Sequence, residues 1–195
     1  MRINFLALSA ILMGSILALG GCETPTPAAI PALTFAHLEQ IRFDAAIVEI
    51  FDEYHPTLAA PNVDHLFQIS PALAARNWAN ARIGAAGSAG SVRVIIKNAS
   101  VVQVNLPVRT GVGGLFFNEQ DVRYEAILEL SIEYRRGLFV TSSVRTEVMR
   151  SRTASESISV AERNQLFFKL TEDLLADLDA EIVSNISQYM ADGLL

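Results

Sequence analysis

Cysteine is almost missing: the 195 residues contain one, Cys22. A lone thiol excludes an internal disulfide framework and any zinc or iron–sulfur site built from several cysteines. Histidine is scarce too, with only His37, His55 and His65. They form neither an HExxH run nor an i,i+4 pair, so the sequence points to no metal and no cofactor. Positive charge is in deficit, with 15 Lys+Arg against 21 Asp+Glu, a net charge of −6 and a pI near 5.1. Nucleic-acid binding rests on many Lys and Arg contacts to phosphate, so this balance excludes it as an expectation. No G-x-S-x-G elbow is present. The glycine-rich Thr110-Gly111-Val112-Gly113-Gly114 lacks both the spacing and the Lys-Ser/Thr end of a phosphate-binding loop. The length fits one domain or two small ones.

What is abundant is apolar surface, with a mean hydropathy of +0.32, and much of it lies at the N-terminus. Residues 1–22 read MRINFLALSAILMGSILALGGC. Arg2 is followed by an uncharged, almost wholly apolar run from Phe5 to Leu19, then by the small Gly20 and Gly21. This is the layout of an export signal, and the run falls short of the roughly 20 residues that span a bilayer as a helix.

Leu19-Gly20-Gly21-Cys22 resembles the lipobox of bacterial lipoproteins, and the chain's sole cysteine falls at the motif position. The resemblance implies that the Cys22 thiol takes a diacylglycerol, that cleavage follows before it, and that the freed amine is acylated, with palmitate among the expected chains. A thiol suits this chemistry because its thiolate is a far better nucleophile than a hydroxyl. Two or more acyl chains anchor a protein stably where one is marginal. In that family an Asp after the Cys favours inner-membrane retention. The residue here is Glu23, which implies an outer-membrane lipoprotein facing the periplasm. The expected division is a signal peptide at 1–21, a lipidated Cys and Pro-rich tether at 22–40, and one domain at 41–195. Pro25, Pro27 and Pro31 give the tether its extended character.

The body reads as strands and two helices. Ile41, Phe43, Ala45 and Ile47 alternate with Arg42, Asp44, Ala46 and Val48, which predicts a strand over 41–50. A long irregular connection follows. Ser70-Pro71 opens a helix with Ala75, Trp78, Ala79 and Ile83 on one face, and Gly84, Gly87 and Gly90 end it in a flexible turn. In Val92–Leu106 the alternation changes phase near Asn98, predicting a bulge or bend within one strand. Val122–Arg135 alternates most clearly, with Tyr124, Ala126, Leu128, Leu130, Ile132 and Tyr134 on one side. Leu138–Arg150 continues it after a hairpin turn at Gly137. Ser159 and Glu162 have capping-box spacing before a long helix, whose stripe is Phe167, Leu170, Leu174, Leu178, Ile182, Ile186 and Tyr189. The expected fold is α+β: a two-layer sandwich of a mainly antiparallel sheet of about four strands, with two helices on one face.

Charge is unevenly spread. Segment 92–152 holds 9 basic and 6 acidic residues, whereas 153–195 holds 2 and 8. Complementary pairs between basic strands and an acidic helix explain this pattern. Pro107–Gln120 carries three glycines beside Leu115, Phe116 and Phe117. These three apolar residues either fold back over the core or form a partner-binding loop.

The body also resembles small Gram-negative envelope lipoproteins, through PNVDHLFQISP (61–71), MRSRTASESISVAER (149–163) and LLADLDAEI (174–182). These are caps and packing stripes, so the resemblance implies a location and a fold but almost no mechanism. The expected function is a non-enzymatic accessory or binding subunit in envelope transport or assembly. It would be held to the membrane by its lipid anchor and would bind an envelope protein or lipid. The alternative is an envelope hydrolase with a site near Asp52, Glu53 and His55.

Overall fold

The computed structural model describes residues 31–107, 121–155 and 157–195. Among these residues nine α-helices and strands follow one another: β1 (Ile41–Phe43), β2 (Ile47–Asp52), α1 (Pro71–Arg82), β3 (Ile83–Ala85), β4 (Ser91–Asn98), β5 (Val101–Asn105), β6 (Val122–Arg136), β7 (Phe139–Ala154) and α2 (Val160–Tyr189). The fold is α+β, as the pattern of alternating strands and amphipathic helices predicts.

β6 is the central strand. β4 and β5 pair with one of its edges in succession, β7 pairs with the other, and all three ladders are antiparallel. β2 lies beyond β4 and runs parallel to it. A parallel neighbour needs a crossover, and α1 supplies it. The pairing of β4 with β6 shifts by one residue between Ile96 and Asn98. The shifted register then runs unbroken from Val101↔Ala126 to Asn105↔Val122. β4 and β5 are therefore two halves of one bulged strand, as the phase change in the sequence predicts. The extra residue lets Val92, Val94 and Ile96 and, beyond the bulge, Ala99 and Val101 all be buried.

The alternation in β6 is kept: Tyr124, Ala126, Leu128, Leu130, Ile132 and Tyr134 are all buried in the single core cluster. Helix α1 contributes Ala74, Ala75, Trp78 and Ala79, and α2 contributes Phe167, Leu170, Leu174, Leu178, Ile182 and Ile186. Each helix begins as its sequence predicts. Ser70 accepts from the Leu73 N–H with Pro71 in the first turn. Ser159 and Glu162 form a reciprocal capping box that satisfies two otherwise orphaned N–H groups.

Four expectations need correction. The 41–50 strand is interrupted at Asp44–Ala46, so Phe43 and Ala45 are buried whereas Ile47 is exposed; Val48 and Ile50 pack inward instead. The interruption arises where the chain changes sheets, because β1 pairs with β3 and β2 with β4. Ile83 belongs to β3 rather than α1, so a strand follows the helix where a flexible turn was expected. Tyr189 ends α2 exposed, and the adjacent Met190 is the residue buried in the core. Packing also begins before Ile41, since Phe35 is buried and Leu33 and Leu38 lie against the core.

Two glycines are required by geometry. Gly137, with φ +63°, closes the β6–β7 hairpin. Gly90, with φ +80°, approaches so closely that a Cβ would stand 2.5 Å from the Arg135 carbonyl oxygen.

The expected charge complementarity takes a definite form. Arg150 and Arg152 of β7 pair with Asp177 and Asp173 of α2. The two helices are joined by a single carboxylate: Asp179 of α2 accepts from the Trp78 indole N–H at 2.9 Å and from Arg82 Nε at 2.8 Å. Asp179→Ala would leave a buried indole N–H and a shielded guanidinium without an acceptor, at a cost of about 2 kcal/mol. Asp177→Ala breaks an exposed pair and should cost under about 1 kcal/mol. Urea unfolding of both variants checks the order; equal losses would remove Asp179 as the joint between the helices.

Candidate functional site

The carboxyl end of β2 and the amino end of α1 face one another across an open cleft of about 270 Å³. Asp52, Tyr54, Asp64, His65, Ser70 and Arg76 contribute to its lining, with Pro56, Ala72 and Leu73 as apolar wall. Such a position, where a strand ends and the crossover helix begins, is a common place for ligands in sheets with a parallel pair.

Its electrostatics centre on two carboxylates. Asp52 Oδ2 accepts from Arg76 Nη2 at 2.7 Å. Asp64, in the short 3-10 turn Asp64–Leu66, is only 2% exposed. Oδ1 of each is buried with no hydrogen-bond partner among the described residues. Burial, and next the charge of Asp64, push the Tyr54 phenol up to about 12, so it stays a neutral donor throughout the physiological range. The segment carrying Asp64 is held in place by backbone bonds to β5: Val63 N–H donates to the Val101 carbonyl and Gln103 N–H to the Pro61 carbonyl, both at 2.9 Å.

The structure does not bring Asp52, Glu53 and His55 together. Asp52 lines the cleft and is occupied by Arg76. Glu53 accepts from Lys97 Nζ at 2.6 Å, and His55 Nδ1 donates to the Glu53 carbonyl at 3.0 Å. Neither Glu53 nor His55 is among the cleft residues; the histidine there is His65. No group of three or more His, Cys, Asp or Glu able to hold a metal ion occurs among the described residues. Tyr54, Asp64 and Arg76 carry no functional signal in the sequence. They lie in an irregular connection and on a helix flank, where no period marks them, and only folding makes them neighbours. Cys22, Leu115, Phe116 and Phe117 lie outside the described residues.

A second hollow of about 350 Å³ opens where β5, β6 and β7 meet, with Val102, Ala126, Ile127 and Met149 as its apolar residues. No helix of the described residues is long and apolar enough to cross a membrane.

No protein-family model matches the chain, and no curated protein matches its sequence. Among solved structures the chain is similar to a Xanthomonas campestris protein of the DUF330 family, at 13% identity and a TM-score of 0.35, covering 79% of this chain and 86% of that one. It is also similar to rare lipoprotein B of Shewanella oneidensis, at 12% identity and a TM-score of 0.30, covering 71% and 97%. A third similarity is to the PelC dodecamer of Paraburkholderia phytofirmans, at 14% identity and a TM-score of 0.21, covering 75% and 91%.

The Tyr54 phenol yields a test with a definite sign. Its folded pKa lies above the ordinary 10.0, so its contribution to stability is present below pH 10 and is lost as pH rises towards about 12. Tyr54→Phe should flatten the alkaline limb of the stability profile, and Asp64→Asn should shift that limb to lower pH. Denaturant midpoints between pH 9 and 12 read both, and an alkaline limb unchanged in Tyr54→Phe would rule the assignment out.

Proposed function

We propose that this chain is an outer-membrane-anchored lipoprotein facing the periplasm, and a non-enzymatic accessory or binding subunit in envelope transport or assembly. One observation carries the reading: an apolar export leader, two glycines and the chain's sole cysteine coincide at Leu19-Gly20-Gly21-Cys22. The described body agrees with a carrier or adaptor role. Its acids are mostly taken up in ion pairs with Arg and Lys, including both acids of the hydrolase reading. The cleft between β2 and α1 is a recess whose lining includes His65 and Ser70, with the Ser70 hydroxyl oxygen taken up as the cap of α1, where it accepts from the Leu73 N–H.

Membrane-extracted protein should have the mass of residues 22–195 plus a diacylglyceryl group and one amide-linked acyl chain. Cys22→Ala should leave the full 195-residue chain unprocessed. A full-length, unmodified wild-type chain, or one cut elsewhere and free of lipid, would defeat the proposal.

The partner-binding loop is part of the same proposal. Residues 107–120 leave from the end of the sheet where β5 ends and β6 begins, and Leu115, Phe116 and Phe117 would meet an envelope component there. Replacing Phe116 and Phe117 by Ser should abolish crosslinks in intact envelopes while leaving the thermal midpoint unchanged. A large fall in that midpoint would instead make both aromatics part of the core.

A further inference from the structure

The longest hairpin of the fold ends in bare apolar residues. β6 and β7 are 15 and 16 residues long. At their turn, Leu138 is 88% exposed, Phe139 78% and Val140 46%. The cross-strand row Ile47↔Ser91↔Arg135↔Val140 places Ile47, itself 53% exposed, on the same face and at the same end of the sheet. None of these four side chains belongs to the core or to either cavity. Apolar residues at such a turn satisfy no folding need, since Gly137 alone supplies the left-handed conformation that closes it.

We propose that this hairpin tip is a second membrane contact, dipping into the interfacial region of the lipid bilayer to which the chain is anchored. The proposal rests on the lipoprotein reading and adds to it an orientation of the domain.

Three observations select lipid as the occupant. The first is shape. Leu138, Phe139 and Val140 are consecutive at a convex turn, so their side chains point in different directions. A fluid interface can envelop such a knob, whereas one flat protein surface meets only part of it. The second is charge. No acidic residue occurs between Glu133 and Glu147, and the run following the tip is Thr141-Ser142-Ser143. Arg135 and Arg136 flank the turn, each already paired, with Glu133 and Asp44 respectively, at 2.9 Å. The tip therefore brings no unpaired acid towards lipid phosphates. The half-exposed Arg136 can keep its guanidinium at headgroup level while the apolar residues go deeper. The third is reach. Eight residues lie between Cys22 and Pro31, so the chain between them spans at most about 32 Å. β6 alone is about 50 Å long at roughly 3.3 Å per residue. An anchored domain is thus confined within its own length of the bilayer, where effective concentration lets a modest apolar contact persist. With the tip down, the β5–β6 end of the sheet faces away from the membrane.

The test uses the full lipidated chain in vesicles of phosphatidylethanolamine and phosphatidylglycerol containing phosphatidylcholine brominated on its acyl chains. Phe139→Trp adds a reporter at the tip; the native Trp78 is buried and serves as a constant background. Phe51→Trp, on the open face of β2, is the control. The added emission of Phe139→Trp should fall about twofold on bromination, with the control unaffected. Leu138→Ser with Phe139→Ser should leave the thermal midpoint unchanged, because both positions are exposed. Absence of quenching in a vesicle-bound chain would overturn the proposal. So would concentration-dependent crosslinking between two tips, or protection of the tip only when a second envelope protein is added. The mass of the chain reports the anchor separately. Should it carry no lipid, flotation of the same chain with vesicles is compared with the double Ser variant: flotation lost on substitution supports the tip, and flotation that is absent or unchanged overturns it.

Discussion

β6 forms backbone ladders along both edges over nearly its whole length, with β4 and β5 on one side and β7 on the other. Its pleat therefore fixes the pleat of every strand that touches it. Tyr124, Ala126, Leu128, Leu130, Ile132 and Tyr134 face the helices, so their cross-strand partners Val92, Val94, Ile96, Val144 and Val148 must as well. A one-residue slip would turn all of these outward together. The bulge at Lys97 is the local adjustment that lets the β4–β5 edge follow so long a strand. The side chains of the open face follow from the same pleat. There Arg93 pairs with Glu49, Arg135 with Glu133, and Arg145 with the buried Glu129.

The helix layer rests on this sheet in two ways. Its apolar stripes give the bulk of the burial, with Trp78 and Leu170, Leu174, Leu175 and Leu178 of α2 fully enclosed. Its polar contacts set direction rather than strength. Asp179 fixes how α1 stands against α2, and Asn185 donates to the Thr146 hydroxyl at 2.9 Å to tie the far part of α2 to β7. Phe67 stacks on Phe167 at 3.9 Å between ring centres, so the connection leading into α1 is itself sealed against α2. That seal holds the connection from which Asp64 and His65 line the cleft.

The two ends of the sheet differ in character. One end holds Gly137, the bare Leu138 and Phe139, and the exposed Ile47. The opposite end holds the β5–β6 connection, where Leu106 N–H donates to the Asp121 carbonyl at 2.7 Å and Asp121 N–H to that of Ala154 at 3.0 Å. The proposed lipid anchor at Cys22 would give this polarity a meaning, because a tethered domain presents one end to the membrane and the other away from it.

The sequence by itself determined the elements with strong period and strong punctuation. β6, the Ser159–Glu162 box, the start of α1 at Ser70-Pro71 and the bulge near Asn98 are all written in neighbouring residues. Each depends on local chemistry: a pleat of period two, a hydroxyl three residues from an N–H, a ring that fixes φ. The resemblance of Leu19-Gly20-Gly21-Cys22 to a lipobox is likewise a local signal. Tertiary structure alone decided the rest. The break at Asp44–Ala46 exists because the chain leaves β3 for β4 as its partner, and no run of eight residues can state which strand lies alongside. β2 is parallel to β4 because α1 carries the chain back across the core. The cleft assembles Asp52, Tyr54, Asp64 and Arg76 from a strand end, an irregular connection and a helix flank, and burial of Asp64 depends on contacts that no spacing encodes. The bare tip at Leu138 and Phe139 reads in the sequence as the start of an ordinary strand. Only the tertiary structure shows that none of the described residues covers it.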